Sequence, residues 1–508
     1  MAKDKGNRLD RIARAISPRW YLRRQIDRLR AAQVETAIRR YDAASGSARF
    51  AGWHAPGTSA NAEVLYALDK LRDRSRELVR NNPWAATAVR RLTSNIVGEG
   101  VAVALMHDKD AVLKRAQEVF AEHFETTACD ADGRLTMAGL QRLMVREMIE
   151  SGEVLLRRRA RKAGERGLLV PVQFDMLEGD HLDETKTEIR RGTSSRIRMG
   201  IEFDATGART AYHLFKEHPG DPDSFSTDQT AVPAAGLTHC YRVDRAKQIR
   251  GIPWQAPTAT ATRDLADWWD ATLVRARLAA CFGGVIESGN LEDPESSLTS
   301  ATGKPIEEIE PGMLRYLREG EKLTLINPPG VEGMEEFPRF SLRAIAAGAG
   351  MPYEVLTGDL STVNYSSARV GLLEFMAETA TWRADTVIPH ICEPMFRWWR
   401  DAAVVAGFEE FADLRASWTA RTRRLLDPGK ETEAAIVAIR GGLSTHSEEL
   451  RAQGWNPDEW AAEFKADQER LDKLMIAVES DPRNARNAAA KVGGDDGNEN
   501  NPPDAGSV

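Results

Sequence analysis

Two glycine–lysine pairs in this 508-residue sequence invite comparison with a phosphate-binding loop, and both fail it. In Thr302-Gly303-Lys304 the first glycine of the loop is replaced by Leu298, where a side chain blocks backbone approach to phosphate. Pro305 stands where a hydroxyl should meet Mg²⁺. Gly429-Lys430 has Arg424 and Glu431 at the same two positions. Neither H-E-x-x-H nor G-x-S-x-G occurs, and the nine histidines are scattered, with His239 beside Cys240 the one apparent pairing. Carboxylates are plentiful without a pattern that singles out an acid–base pair. Cys129, Cys240, Cys281 and Cys392 never fall in a C-x-x-C spacing, so neither a disulfide framework nor a zinc site is indicated. These residues predict no catalytic group, no metal and no cofactor.

The composition bounds the rest. Length sets an expectation of about three domains. A net charge of −7 does not suit a protein that grips nucleic acid over a broad surface, because that affinity comes from Lys/Arg-driven counterion release. Contact with DNA is expected to be loose or local. The exception is residues 1–50, with thirteen basic side chains against five acidic ones, which read as a solvated basic arm or a polyanion contact. No apolar run is long enough to span a bilayer, and the N-terminus is too charged for a signal peptide. A reducing cytosol is the expected setting.

The elements that must position any site follow from periodicity. A linker at Gly46 to Ala60 precedes helices from Asn61 onward, with Pro83 restarting one after Asn82. Val101 to Leu105 reads as a strand, Val112 to Phe124 and Met137 to Ser151 as helices, and Glu153 onward as another strand. Strands at Leu168 to Leu177, Arg196 to Phe203 and Thr210 to Phe215, with a turn at Asp204-Ala-Thr-Gly207, make a β-rich insertion. A long helix follows Pro257, and short strands are expected at Val285-Ile286 and within Leu314 to Ile326. Leu342, Ile345, Ala346 and Ala349 mark a helix that should stop at Gly350, because Pro352 lacks an N–H and biases Met351 toward extended backbone. A polar loop comes next. Ser366 or Ser367 is then expected to cap a long helix that ends near Pro389. The plain reading of this segment is a helix–loop–helix hairpin. The last thirty residues lack apolar periodicity and are expected to be disordered.

Several segments, taken in order, resemble the lambda-type portal proteins of tailed bacteriophages. They are Arg72-Asp-Arg-Ser-Arg-Glu-Leu-Val-Arg-Asn-Asn-Pro83 with Asn95-Ile-Val-Gly98, then Ser151-Gly-Glu-Val-Leu-Leu156, then Gly200-Ile-Glu-Phe-Asp204 with Ala211-Tyr-His213 and His218-Pro-Gly220. Gln248-Ile-Arg-Gly-Ile-Pro-Trp254, Gly350-Met-Pro-Tyr-Glu-Val-Leu-Thr-Gly-Asp359 with Asn364-Tyr-Ser-Ser-Ala-Arg369, and Asp427-Pro-Gly-Lys-Glu431 complete the series. The resemblance covers roughly Asn61 to Leu474.

That resemblance implies an α+β, mostly helical portal fold assembled as a ring, typically a dodecamer, at one capsid vertex. Double-stranded DNA would be packaged and ejected through it. Implied partners are the terminase large subunit, the major capsid protein and scaffold, and the head–tail connector, with no membrane. The protein would be a virion component assembled in the host bacterial cytoplasm. Its expected parts are a basic arm and linker (1–60), wing (61–136), stem helix and strand (137–164), β-rich clip (165–250), second stem helix (251–284), wing with tunnel loop 357–365 and long helix 366–388 (285–399), crown (400–475) and tail (476–508). The implied channel-lining residues are Asp359, Leu360, Ser361, Thr362, Val363, Asn364, Tyr365 and Arg369. Ser361, Thr362 and Asn364 would offer weak neutral contacts, Asp359 repulsion, and Arg369 one cation, unless it is spent on a neighbouring carboxylate. Two other classes stay open: a cytosolic enzyme with an unrecognised site, and a basic-armed nucleic-acid-binding protein.

Overall fold

Asn82 separates the first two long helices by a single extended residue. Its Oδ1 accepts hydrogen bonds from the Trp84 and Ala85 amides at 3.0 and 3.2 Å, and Pro83 follows at the first helical position, where a missing N–H costs nothing. In the computed structural model these are α2 (Leu68–Asn81) and α3 (Pro83–Ile96), preceded by the short α1 (Ala60–Val64). The structure describes residues 57–189, 195–223, 228–281, 285–288, 321–324, 336–361, 364–420, 428–455 and 457–476. The chain falls into two units, Met1–Ala62 and Glu63–Val508, and the elements from α2 onward belong to the second.

Gly98 and Gly100, both at positive φ, turn the chain out of α3 into strand β1 (Val101–Met106). A Cβ on Gly100 would stand 2.8 Å from the Ala138 Cβ, so the turn needs glycine for space as well as for backbone conformation. Helices α4 (Asp110–Phe124) and α5 (Met137–Ser151) lead into β2 (Glu153–Ala160), the central strand of an antiparallel three-stranded sheet in the order β3-β2-β9, with β3 at Val172–Glu178 and β9 at Leu237–Tyr241. Between β3 and β9 lies an antiparallel five-stranded meander: β4 (Glu188–Ile189), β5 (Arg196–Arg198), β6 (Ile201–Phe203), β7 (Arg209–Phe215) and β8 (Gln229–Pro233). Met199 and Gly200, both at positive φ, make the two-residue turn between β5 and β6. Asp204 closes the β6–β7 turn, its Oδ1 accepting from the Thr206 and Ala208 amides at 2.8 and 2.9 Å.

After the sheets come α6 (Ala259–Cys281), the paired strands β10 (Val285–Ser288) and β11 (Glu321–Thr324), α7 (Glu336–Gly348), the single-turn α8 (Tyr353–Thr357) and α9 (Tyr365–Trp382). A π-helical stretch, Arg383–Cys392, then joins α9 to α10 (Glu393–Val405) without a break. Strand β12 (Arg415–Ala420) returns to pair antiparallel with β1, and α11 (Pro428–Arg440), α12 (His446–Ala452) and α13 (Pro457–Lys473) close the described chain.

One large core joins α3, α4, α5, β2, β3, α7 and α10, with Trp399, Phe174, Phe411 and Met144 among its most enclosed side chains. A second, smaller core holds the meander: Ile201, Phe203, Tyr212 and Leu214 pack with Leu68 and Leu155. The mixed helix-and-sheet class matches expectation, and two local expectations change. Met137–Ser151 has nine buried residues among its fifteen. The β-rich insertion is two sheets rather than one compact module, since β3 and β9 both pair with β2. The long helix does not end at Pro389: widening to i→i+5 hydrogen bonding accommodates the proline's missing donor, and the helical run continues to Val405. Expectations for the basic arm, for 289–320 and for the tail fall outside the described residues. Among the described residues no helix is long and apolar enough to cross a membrane.

Candidate functional site

The loop between α8 and α9 is tied down by its own side chains. Gly350, at φ 70°, ends α7: its amide donates to Ala347 O at 3.1 Å and the next, Met351, to Ala346 O at 3.0 Å. Trp382 stands 3.2 Å from where a Cβ on Gly350 would be, so the end of α7 sits directly on the far end of α9. Pro352 then precedes α8, whose C-terminus is closed by Gly358 at φ 73°, with the amide donating to Glu354 O.

Asp359 organises the loop beyond this turn. Its Oδ1 accepts from the Ser361 amide at 3.0 Å and from the Ser361 hydroxyl at 2.6 Å, while Oδ2 accepts from the Tyr353 hydroxyl at 3.1 Å. Those hydrogen bonds, Ser361 first, hold its carboxyl below the usual carboxylate range, so the loop carries a fixed negative charge at neutral pH. Leu360 projects outward, 67% exposed. Asn364, not Ser366 or Ser367, caps α9: its Oδ1 accepts from the Ser367 amide at 2.9 Å. Helical geometry starts at Tyr365, so the capping position falls two residues ahead of Ser366, and asparagine fills it well. Arg369, the expected cation, lies 3.7 Å from Glu431 of α11 and is 39% exposed. Thr362 and Val363 lie outside the described residues, as does the Tyr365 side chain.

At its other end the α9 run is anchored on α3. Arg383 donates from Nε to Ile96 O at 2.6 Å and from Nη2 to Asn95 O at 3.0 Å, a guanidinium closing the carbonyl end of a helix. Trp382 meets Trp254 edge-on with centroids 4.6 Å apart, and Phe375 is buried in the main core. The loop is therefore the exposed tip of a rigidly held helix pair.

The residues that hold the body and the meander together were not legible as a site. The Glu153 carboxylate, fully buried at the start of β2, accepts from Arg250 Nε at 2.8 Å, Arg72 Nη2 at 3.1 Å, His239 Nε2 at 3.0 Å and the Gly251 amide at 2.9 Å. Burial works to raise this carboxyl, and Arg250 and His239 outweigh it, holding it well below the usual range. Burial pushes His239 down to about 4, so a neutral ring donates its Nε2–H to Glu153. Arg72 reaches on to Asp180 at 3.0 Å, and Arg76 adds Asp180, Glu147 and Glu178. The approach of strand and loop is close: a Cβ on Gly251 would fall 2.1 Å from Gly152 O. Arg72, Glu153 and Arg250 come from three of the segments that resemble portal proteins, and the structure brings those three to one point.

Glu178, Asp180 and His218 are the one group among the described residues with metal-ligand spacing, and Arg76 already neutralises its two carboxylates. Cys129, Cys240 and Cys392 are free and enclosed, with burial raising each thiol, which makes them unreactive core residues.

Comparison with known proteins agrees with the order of segments. The family model described as "Phage portal protein, lambda family" matches residues 46–383. The probable portal protein of Halomonas phage phiHAP-1 is 27% identical over 450 residues, covering 84% of this chain and 85% of that protein. Portal protein B of Escherichia phage lambda is 24% identical over 479 residues, covering 82% and 88%. Among solved structures, a chain from the neck of an empty GTA particle aligns with a TM-score of 0.46 at 15% identity, covering 77% of this chain and 94% of that one.

Proposed function

Because the chain belongs to the lambda family of phage portal proteins, whose general role is the DNA-packaging channel, we propose that it acts as a ring of about twelve copies at one capsid vertex. The observation that carries the family is the match over residues 46–383, two thirds of the chain. In this reading double-stranded DNA enters and leaves through the central hole. The terminase docks on the β-rich face, the capsid protein and scaffold surround the ring, and the head–tail connector seats on it later. Assembly takes place in the host cytoplasm, and the finished protein is part of the virion. The chain itself performs no chemistry: ATP hydrolysis belongs to the motor.

The wing comprises 61–136 together with 285–399, and 137–164 supplies the first stem helix and strand. The second stem helix is α6, whose second half from Trp269 onward is exposed at nearly every described position and so has surface to offer a neighbour. The meander serves as the clip and α11 to α13 as the crown. The tunnel loop is 357–365, and its construction supports the assignment: a fixed carboxylate at Asp359, a hydroxyl at Ser361 and an exposed Leu360 give weak, non-adhesive contacts to a moving polyanion.

The test is Asp359→Lys in a phage carrying this chain. Annular particles with a central hole by negative-stain microscopy, together with impaired DNA packaging, are expected. Compact monomers at all concentrations would sink the ring reading. Normal packaging by intact rings would show that the loop does not meet DNA.

A further inference from the structure

One face of β2 changes character along its length. Side chains two residues apart share a face of a strand. On this face Glu153 and Leu155 are buried against Arg250, His239 and the meander core. The same face then continues as Arg157, Arg159 and Arg161, beyond the cover of the meander. Arg159 is 37% exposed and Arg161 22% exposed. Arg158, Lys162 and Arg166 flank the ladder, all exposed, so six of the ten residues from 157 to 166 are cationic.

Few acids answer them. Asp175 on β3 takes Arg159, with Nε donating to Oδ2 at 2.7 Å. Glu165 stands 3.8 Å from Arg161, and Glu122 lines the shallow pocket beside Arg166. Among the described residues Arg157 has no ion-pair partner, although it sits opposite Asp175 in the β2–β3 register. Two of the cationic side chains are also tied to neutral acceptors: Arg161 donates to Gln173 Oε1 at 2.9 Å, and Arg166 donates to Ala131 O at 2.8 Å.

Adjacent positions of the row stand about 6.6–6.8 Å apart, from a strand rise of about 3.3–3.4 Å per residue. The row therefore runs for about 13 Å, a length of duplex axis over which each strand presents about four phosphates. We infer that the Arg157–Arg159–Arg161 row is a local seat for the phosphate backbone of double-stranded DNA. It is a second contact, separate from the loop at Asp359, in a chain whose net charge is otherwise negative. The inference rests on reading the protein as a DNA-handling ring.

The test measures binding of a 30-base-pair duplex to the full chain by fluorescence anisotropy across a range of salt concentrations. Arg157→Gln combined with Arg161→Gln is compared with the charge-preserving Arg157→Lys and Arg161→Lys pair, and near-UV circular dichroism checks packing. Each phosphate contact contributes about 0.9 to the slope of log K against log salt. The glutamine pair should therefore lower the slope by about 2 and weaken binding about 20- to 30-fold near 0.15 M salt, while the lysine pair retains the slope. An unchanged slope overturns the inference and leaves the basic arm as the DNA contact. Equal losses in both pairs overturn it too, because geometry and not charge would then be responsible. Loss of poly-glutamate binding with duplex binding intact assigns the row to an acidic protein segment instead. Ring formation is scored separately on the same samples, so failure of the channel reading is distinguishable from failure of this one.

Discussion

Replacing Glu153 by glutamine keeps the shape of the side chain and removes one buried charge. In the native fold this carboxylate serves two guanidiniums, one imidazole and one backbone amide, and both arginines are at most 2% exposed. Arg72 keeps a partner after the change, since Asp180 Oδ1 lies 3.0 Å from its Nη1. Arg250 does not: beside the amide oxygen of the new glutamine, its hydrogen-bond acceptors are the neutral Met199 and Gly179 carbonyls, each at 3.3 Å. Breaking a buried pair by removing one partner costs about 3–5 kcal/mol, because the remaining charge is stranded away from water. Set against a usual stability of about 5–15 kcal/mol, that is a large fraction. Urea and thermal unfolding, followed by tryptophan fluorescence, should show Glu153→Gln lowering the melting temperature by roughly 3–5 °C. Glu433→Gln on the exposed side of α11 serves as the control and should shift little. Joint replacement of Glu153 and Arg250 by apolar residues should recover part of the loss, since no stranded charge remains. A Glu153→Gln protein within about 1 kcal/mol of the original would refute the reasoning, as it would mean that the node is hydrated or expendable.

Acid should weaken the fold in a defined window. His123 and His239 are each pushed down to about 4 by burial, so below about pH 6.5 the unfolded chain takes up protons that the folded chain refuses until about pH 4. Stability is fully present above that window and falls across it by up to about 3 kcal/mol per histidine. Glu184, raised to about 7 by burial and the Asp69 carboxylate, works the other way, but it is only half-buried. Melting temperatures at pH 7.5 and 4.5 check the sign, and a rise on acidification would contradict it. Asn364→Ala should cost about 1 kcal/mol at the start of α9, seen as roughly fivefold faster amide exchange over residues 365–370 with the global melt unmoved. Gly251→Ala places a methyl 2.1 Å from Gly152 O and 2.7 Å from the Tyr241 Cβ, and soluble folded protein should fall below detection; normal expression would show that strand and loop can separate.

Local rules made the elements legible. Pro83 after Asn82 announced the start of α3, the apolar period from Met137 to Ser151 announced α5, and Asp204 to Gly207 announced a hairpin, because each depends on contacts within a few residues. The loop between α8 and α9 was legible for the same reason, and the error at its end was one of register: Asn364, two positions before Ser366, is the capping residue, and the serines lie inside the helix. Pro389 misled because a proline in isolation reads as a helix end, whereas packing of Val387, Ile391 and Cys392 into the core holds the run together through a π-helical stretch.

The sequence by itself determined that this is a mixed helical and stranded protein of the portal family with no recognisable catalytic motif, and it supplied both the turn chemistry and the row of arginines that β2 displays. Only the tertiary structure decided which charges meet. Arg72, Glu153 and Arg250 are separated by about a hundred residues at each step, and nothing in local periodicity distinguishes an arginine on a solvated face from one that ends 2% exposed on a shared carboxylate. The same holds for Arg369 and Arg157, identical in type, one engaged by Glu431 and the other free of an ion-pair partner among the described residues. Electrostatic pairing is set by distances between elements far apart in the chain, and those distances exist only after the cores have packed.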